Sequence, residues 1–219
     1  MMQDERNRLL DAALTHAPFD GMNERALLAG ARDLGMSPDL ARVLFPQGGA
    51  GLAAAYHRRA DAALARAMAL SLPAGRIRDR IAGAIWTRLT LSDPELVRAG
   101  TAVMTLPQNA GLGARLMWET ADTIWTGLGD GSEDVNWWTK RATLASVWGA
   151  VVLYWLGDAS VGHQDTRGFI DRRIDDVMRI EKLKATARKL PGVGAVAGLA
   201  TGWIRKPQRA AAPGYQKEA

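Results

Sequence analysis

Cysteine is absent from the 219 residues, so neither disulfides nor thiolate chemistry is open to this chain. Histidine occurs three times, at His16, His57 and His163, too scattered for a metal-ligand cluster. No Glu is followed three residues later by His, which removes the usual helical di-iron ligand pattern. HExxH, a Walker loop and a nucleophile elbow are all missing. The stretch from Gly192 to Ala197 matches a dinucleotide loop only as a string, because no strand precedes it. Apolar runs stop short of the roughly 18 to 20 residues that a membrane-spanning helix needs. The charged start, Met1 to Leu14, has no apolar signal core, and predicts no export signal. No segment alternates convincingly as a strand does, so an all-α fold is expected. Nothing here reads as catalytic, and neither a cofactor nor a metal is expected.

What the chain does have is apolar content, 47% by residue, ample for a core. Its net charge of +5 is unevenly placed. Residues 182–219 hold 8 basic residues against 1 acidic, whereas residues 1–181 hold 20 basic against 22 acidic. A slightly acidic body therefore carries a basic tail, which suits an anionic membrane surface or a nucleic acid. Richness in Ala, Arg and Gly suggests a bacterial source with a GC-rich genome. The expected location is therefore cytoplasmic, peripheral on a bacterial inner membrane.

Residues 1–75 form a first part that resembles a helix-turn-helix. Helices are expected at 4–16 and 23–34, with a loop from Pro18 to Met22. Ser37 caps a third helix, Pro38 opens it and Pro46 stops it. This segment, SPDLARVLF, offers Arg42 against Asp39, and residues 1–75 carry 8 basic and 8 acidic residues. Phosphate neutralisation needs a positive surface, so no nucleic-acid partner is expected. A helix-turn-helix regulator sensing an apolar ligand is the alternative.

Residues 76–189 read as a helical core. Leu112, Leu116, Thr120, Ile124 and Leu128 recur every fourth residue, and 135–157 is apolar on more than one face. Asp165 is expected to cap a last long helix from Thr166 to about Leu190. An apolar ligand between these helices would meet Trp118, Leu144, Trp148 and Trp155. From Leu190 to Ile204 there is no charge, with basic pairs on either side. As a helix those 15 residues span roughly 22 Å, too short to cross a bilayer but suited to its surface. Val193, Val196, Ala200, Trp203, Ile204, Arg205 and Lys206 are the expected membrane contacts in a helix at 190–206, followed by a disordered tail at 207–219.

The chain is organised around Asp122 to Arg141, DTIWTGLGDGSEDVNWWTKR. Gly127, Gly129 and Gly131 end one helix, and Asp134 stands where an N-cap belongs. Asp122, Asp130, Glu133 and Asp134 read as caps and surface charges, since a hard-cation site has a recognisable ligand spacing. Adjacent helical positions differ by about 100°, so Trp137 and Trp138 cannot both face inward. The exposed one is a candidate binding anchor.

This stretch, with LGDASVGHQDTRGFIDRRIDDV further on, resembles the COQ-nine family of ubiquinone-biosynthesis accessory proteins. The matching residues are Asp122, Trp125, Gly129, Asp130, Asp134, Asn136, Trp137, Thr139, Arg141, Asp158, Ser160, Asp165, Thr166, Arg172 and Arg173. Trp138 departs from the family's usual Tyr, losing a hydroxyl. The similarity is strong over about residues 76–180. It implies a TetR-like fold, a homodimer, and an internal cavity for isoprenoid lipid or a ubiquinone precursor. It further implies a C-terminal helix on the membrane surface and docking to a ubiquinone-biosynthesis hydroxylase. By position, the docking patch falls on Ile124, Asp134, Trp137, Trp138 and Arg141.

Overall fold

The computed structural model describes residues 1–132 and 135–188. Among these the chain is helical throughout, without a strand. The helices are α1 (Met2–Asp20), α2 (Glu24–Asp33), α3 (Pro38–Leu44), α4 (Gly48–Leu70), α5 (Ile77–Thr90), α6 (Pro94–Met104), α7 (Ala110–Gly127), α8 (Val135–Gly157) and α9 (Gln164–Arg188). Short 3₁₀ turns at Pro107–Asn109 and Val161–His163 lead into α7 and α9.

Local chemistry sets the helix starts. Asn23, Ser37 and Asp93 accept hydrogen bonds from backbone amides of α2, α3 and α6 in turn, and Pro38 and Pro94 occupy first-turn positions where no amide is needed. Two boundaries differ from expectation. α1 continues through Pro18, because a proline in the last turn forfeits only one hydrogen bond, and Gly21 (φ 80°) then closes the helix onto the Ala17 carbonyl. α9 begins at Gln164, so Asp165 lies inside the first turn instead of capping it. Asp158 supplies the cap from upstream. Its carboxylate accepts from the Thr166 amide at 2.9 Å and the Thr166 hydroxyl at 2.5 Å, while Ser160 Oγ accepts from the Asp165 amide. Gly162 (φ 62°) and His163 (φ 54°) fold the chain back to allow this. The Ser160 and Thr166 bonds hold the Asp158 carboxyl well below the usual carboxylate range.

Two cores share α4. In the first, Leu9, Leu27, Leu44, Phe45 and Leu52 pack α1 to α3 against the start of α4. α1 and α2 approach closely at Gly30, where a Cβ would lie 2.5 Å from the Ala13 backbone nitrogen. In the second, Leu64 and Met68 from the end of α4 join Ile85, Leu89, Ile124, Leu144, Val151, Trp155 and Ile170. α2 and α3 are joined by the turn 34–37, and Arg42 on α3 is paired with Glu24 at 2.9 Å and Asp39 at 3.4 Å. No helix among the described residues is long and apolar enough to cross a membrane.

Candidate functional site

α8 is the axis of the site. Leu144, Val147, Trp148, Val151, Val152 and Trp155 are buried along it, between α7 on one side and α9 on the other. Two cavities open against α8, and they share no lining residue.

The larger cavity, about 520 Å³, lies between α5, the C-terminal end of α7, the first half of α8 and α9. Its walls are apolar: Ile77, Ile81, Trp125, Leu128, Leu144, Val147, Ile174, Val177 and Met178. Its rim is polar, with Asp130, Asn136, Thr139 and Lys140. The smaller cavity, about 220 Å³, lies between α4, α5, α6, α7 and the second half of α8, and includes Trp148 and Trp155. The four residues expected to meet one apolar ligand are thus distributed over three places. Leu144 lines the larger cavity, Trp148 and Trp155 the smaller, and Trp118 neither.

Trp118 belongs instead to an aromatic corner. Its ring centroid is 5.8 Å from that of Trp137 and 5.5 Å from that of Trp138, and Trp137 meets Trp138 edge-on at 4.9 Å. Trp138 is 37% exposed and Trp137 is half-buried, as helical geometry requires of neighbours. Beneath this corner Arg141 is almost fully buried. Its guanidinium sits 4.1 Å from the Trp137 ring centre and donates to Asp122 at 2.6 Å and Asp130 at 2.9 Å. Lys140 Nζ donates to Asp130 at 2.8 Å and to Ser132 Oγ at 2.6 Å. The Trp125 indole N–H donates to the Lys140 carbonyl. Burial pushes the Asp130 carboxyl up, but bonds from Lys140, Ser132 and Arg141 outweigh it and leave it well below its ordinary range. The Gly-rich turn after α7 is therefore clamped to α8 by charge-assisted bonds at the rim of the larger cavity.

Two members of the expected docking patch need correcting. Ile124 is fully buried in the second core, because the stripe Leu116, Thr120, Ile124 is the inward face of α7. Arg141 is 2% exposed and spends its donors on Asp122, Asp130 and the Trp137 carbonyl, so it braces the corner from below. Asp134 lies outside the described residues. Trp137 and Trp138 lie at the corner, and Trp118 joins them. Val193, Val196, Ala200, Trp203, Ile204, Arg205 and Lys206 also lie outside the described residues.

Sequence reasoning missed a buried polar network beside the smaller cavity. Arg88 Nε donates to Asp61 at 2.6 Å, Nη1 to Ser92 Oγ at 2.5 Å and Nη2 to the His57 carbonyl at 3.1 Å. Thr120 Oγ1 lies 3.0 Å from Asp61 and 2.8 Å from His57 Nε2. Asp61 and Arg88 are each more than nine-tenths buried. The available signal was an unpaired-looking charge inside each of two apolar helical faces.

Comparison with known proteins now bears on these features. Residues 110–181, from α7 through most of α9, match the COQ9 family model. Over 185 residues the chain is 29% identical to the mitochondrial ubiquinone biosynthesis protein COQ9 of Drosophila melanogaster, covering 81% of this chain and 56% of that protein. Over 199 residues it is 30% identical to the COQ9 of Rattus norvegicus, covering 84% of this chain and 64% of that protein. The chain thus spans about three fifths of the length of these relatives. In fold it resembles a TetR transcriptional regulator from Nitrosomonas europaea, with a TM-score of 0.61, 17% identity, and 78% of this chain and 97% of that one covered. The expected bacterial inner-membrane location is overturned, since the named relatives from fly, rat, human and fission yeast are mitochondrial proteins. The aromatic corner, the clamped turn and the Asp158 cap all lie inside the region that matches the COQ9 family model, and this helical chain with a TetR-like fold is similar to the COQ9 proteins over most of its length.

Proposed function

We propose that this protein acts in ubiquinone biosynthesis as a non-enzymatic accessory. It holds an isoprenoid quinone precursor and presents it to a membrane-associated hydroxylase. The observation that carries this reading is the larger cavity, with its apolar walls and its polar rim of Asp130, Asn136, Thr139 and Lys140. A polyprenyl tail crosses water poorly because each CH₂ withdrawn from it is worth about 0.8 kcal/mol. A protein that shields the tail and leaves the head group at a polar rim lowers that barrier. The ubiquinone-biosynthesis role in the names of its relatives supports the choice of ligand. In this reading Trp118, Trp137 and Trp138 form the hydroxylase-docking anchor, since partly exposed tryptophans are favoured at binding hot spots. The segment 190–206 rests on the membrane surface, and the working unit is a homodimer. Purification of the full chain followed by lipid mass spectrometry tests the carrier. A stoichiometric isoprenoid quinone or precursor is expected, and lipid-free protein counts against it.

A TetR-type regulator is the second reading, favoured by the fold likeness. Against it, Arg42 on α3 is already neutralised by Glu24 and Asp39. Salt-sensitive binding to a palindromic duplex would support this reading over the carrier.

A further inference from the structure

The smaller cavity has no part in the carrier reading, yet its chemistry is specific. Its floor is the neutral ion pair of Arg88 and Asp61, in which all three guanidinium nitrogens are engaged within the protein. The buried cation is thus already matched by a carboxylate, and the pair offers no net positive charge to an anionic ligand. Trp148 lines the cavity, is 2% exposed, and its indole Nε1 has no hydrogen-bond partner among the described residues. A buried donor left unpaired costs about 1–3 kcal/mol, so it marks a place where an acceptor is wanted. Tyr56 also lines the cavity, and its hydroxyl accepts from the Asp93 amide at 2.8 Å. Burial raises the Tyr56 pKa, which keeps this phenol neutral. Gly149 opens space on α8, where a Cβ would meet only Met117 Sδ at 3.9 Å.

We propose that this cavity is a second binding site, for a neutral single-ring molecule bearing a hydrogen-bond acceptor oxygen that pairs with Trp148 Nε1. Size supports one ring: an apolar cavity of roughly 150 Å³ accommodates benzene, and this one, at about 220 Å³, has room for a few further atoms. Charge disfavours acids, because a carboxylate or phosphate would be desolvated beside a cation that Asp61 already balances. Mostly apolar walls and the unpaired indole N–H select a carbonyl or ether oxygen on an aromatic or quinoid ring. The site stands independently of the isoprenoid reading, because the two cavities share no lining residue.

The test uses the full chain with ¹⁵N-labelled tryptophan, titrated with acetophenone, toluene and benzoate while the indole N–H resonances are followed. Trp148→Phe assigns its resonance. Acetophenone is expected to shift the Trp148 signal downfield and saturate at one molecule per chain. Toluene should bind without that shift, and benzoate should leave the signal unmoved. Gly149→Leu fills the cavity while improving the helix propensity of α8, so it should fold normally and bind acetophenone at least tenfold more weakly. Trp148→Phe keeps an aromatic side chain but removes the N–H, and should weaken acetophenone roughly five- to tenfold but not toluene. An unmoved Trp148 signal overturns the proposal, as does undiminished binding by the Gly149→Leu variant or equal binding of benzoate. Isoprenoid content of the same Gly149→Leu protein, measured by lipid mass spectrometry, reports separately on the carrier reading.

Discussion

Two arginines, Arg88 and Arg141, are each about 2% exposed, and each lies beside one of the two cavities. Arg88 has one carboxylate, Asp61, contributed by another helix 27 residues away. Arg141 has two, Asp122 from α7 and Asp130 from the turn that follows it, and Lys140 shares the second. Arg88 therefore joins helix to helix inside the second core, with neutral charge, and reaches only Ser92 in the short turn after its own helix. Arg141 joins a glycine-rich turn to the start of α8 and sits under Trp137. The same residue type fastens the fold in one place and shapes a surface in the other. The first is expected to govern whether the chain folds, the second what the folded chain presents.

The largest effect should come from Arg88→Ala, which leaves Asp61 buried without its cation and should cost about 3–5 kcal/mol by chemical denaturation. A double replacement, Asp61→Leu with Arg88→Met, should recover most of that loss, because an apolar pair of similar volume suits this site. Failure to recover would mean that the network fixes more than local charge. Arg141→Ala should cost less, about 2–3 kcal/mol, because Asp130 keeps Lys140 and the turn can reach water. Its distinguishing sign is a redder Trp137 and Trp138 fluorescence in folded protein, since the base of the corner is lost.

Acid dependence separates the two further. Asp61, Asp130 and Asp158 all have carboxyl groups held below their ordinary range in the folded state. Their stabilisation is fully present above the unfolded value of about 4 and fades as pH falls below it toward the folded values. Stability should drop between about pH 5 and 2, and Asp130→Asn should make that drop shallower in urea melts. The smallest effect on folding is expected for Trp138→Lys, within about 0.5 kcal/mol for a partly exposed side chain. Yet it should reduce hydroxylase capture by the purified protein; unchanged capture would remove the docking role.

Much of this arrangement was legible in the chain. Ser37–Pro38 and Asp93–Pro94 announced two helix starts, and the apolar faces placed most helices. The every-fourth-residue stripe from Leu112 to Leu128 described the inward face of α7, and it should have kept Ile124 off any docking surface. The opposition of Trp137 and Trp138 followed from helical geometry alone. The pairing of His57, Asp61, Arg88 and Thr120 was not legible, because it joins three helices across separations of up to 63 residues and has no local spacing rule. Nor was the separation of Trp118 from Trp148: both are tryptophans on apolar helices, and only the packing angle of α7 on α8 sends one to the corner and the other to a cavity.

The central claim is that the larger cavity holds an isoprenoid chain. Native mass spectrometry of the unaltered chain and of Thr143→Trp, which places a bulky ring at a half-buried position lining that cavity, tests it most directly. The account predicts one isoprenoid quinone precursor per chain in the unaltered protein and its loss from Thr143→Trp, with the fold retained by circular dichroism. An unaltered protein without isoprenoid, or a Thr143→Trp protein that retains it fully, would contradict the account.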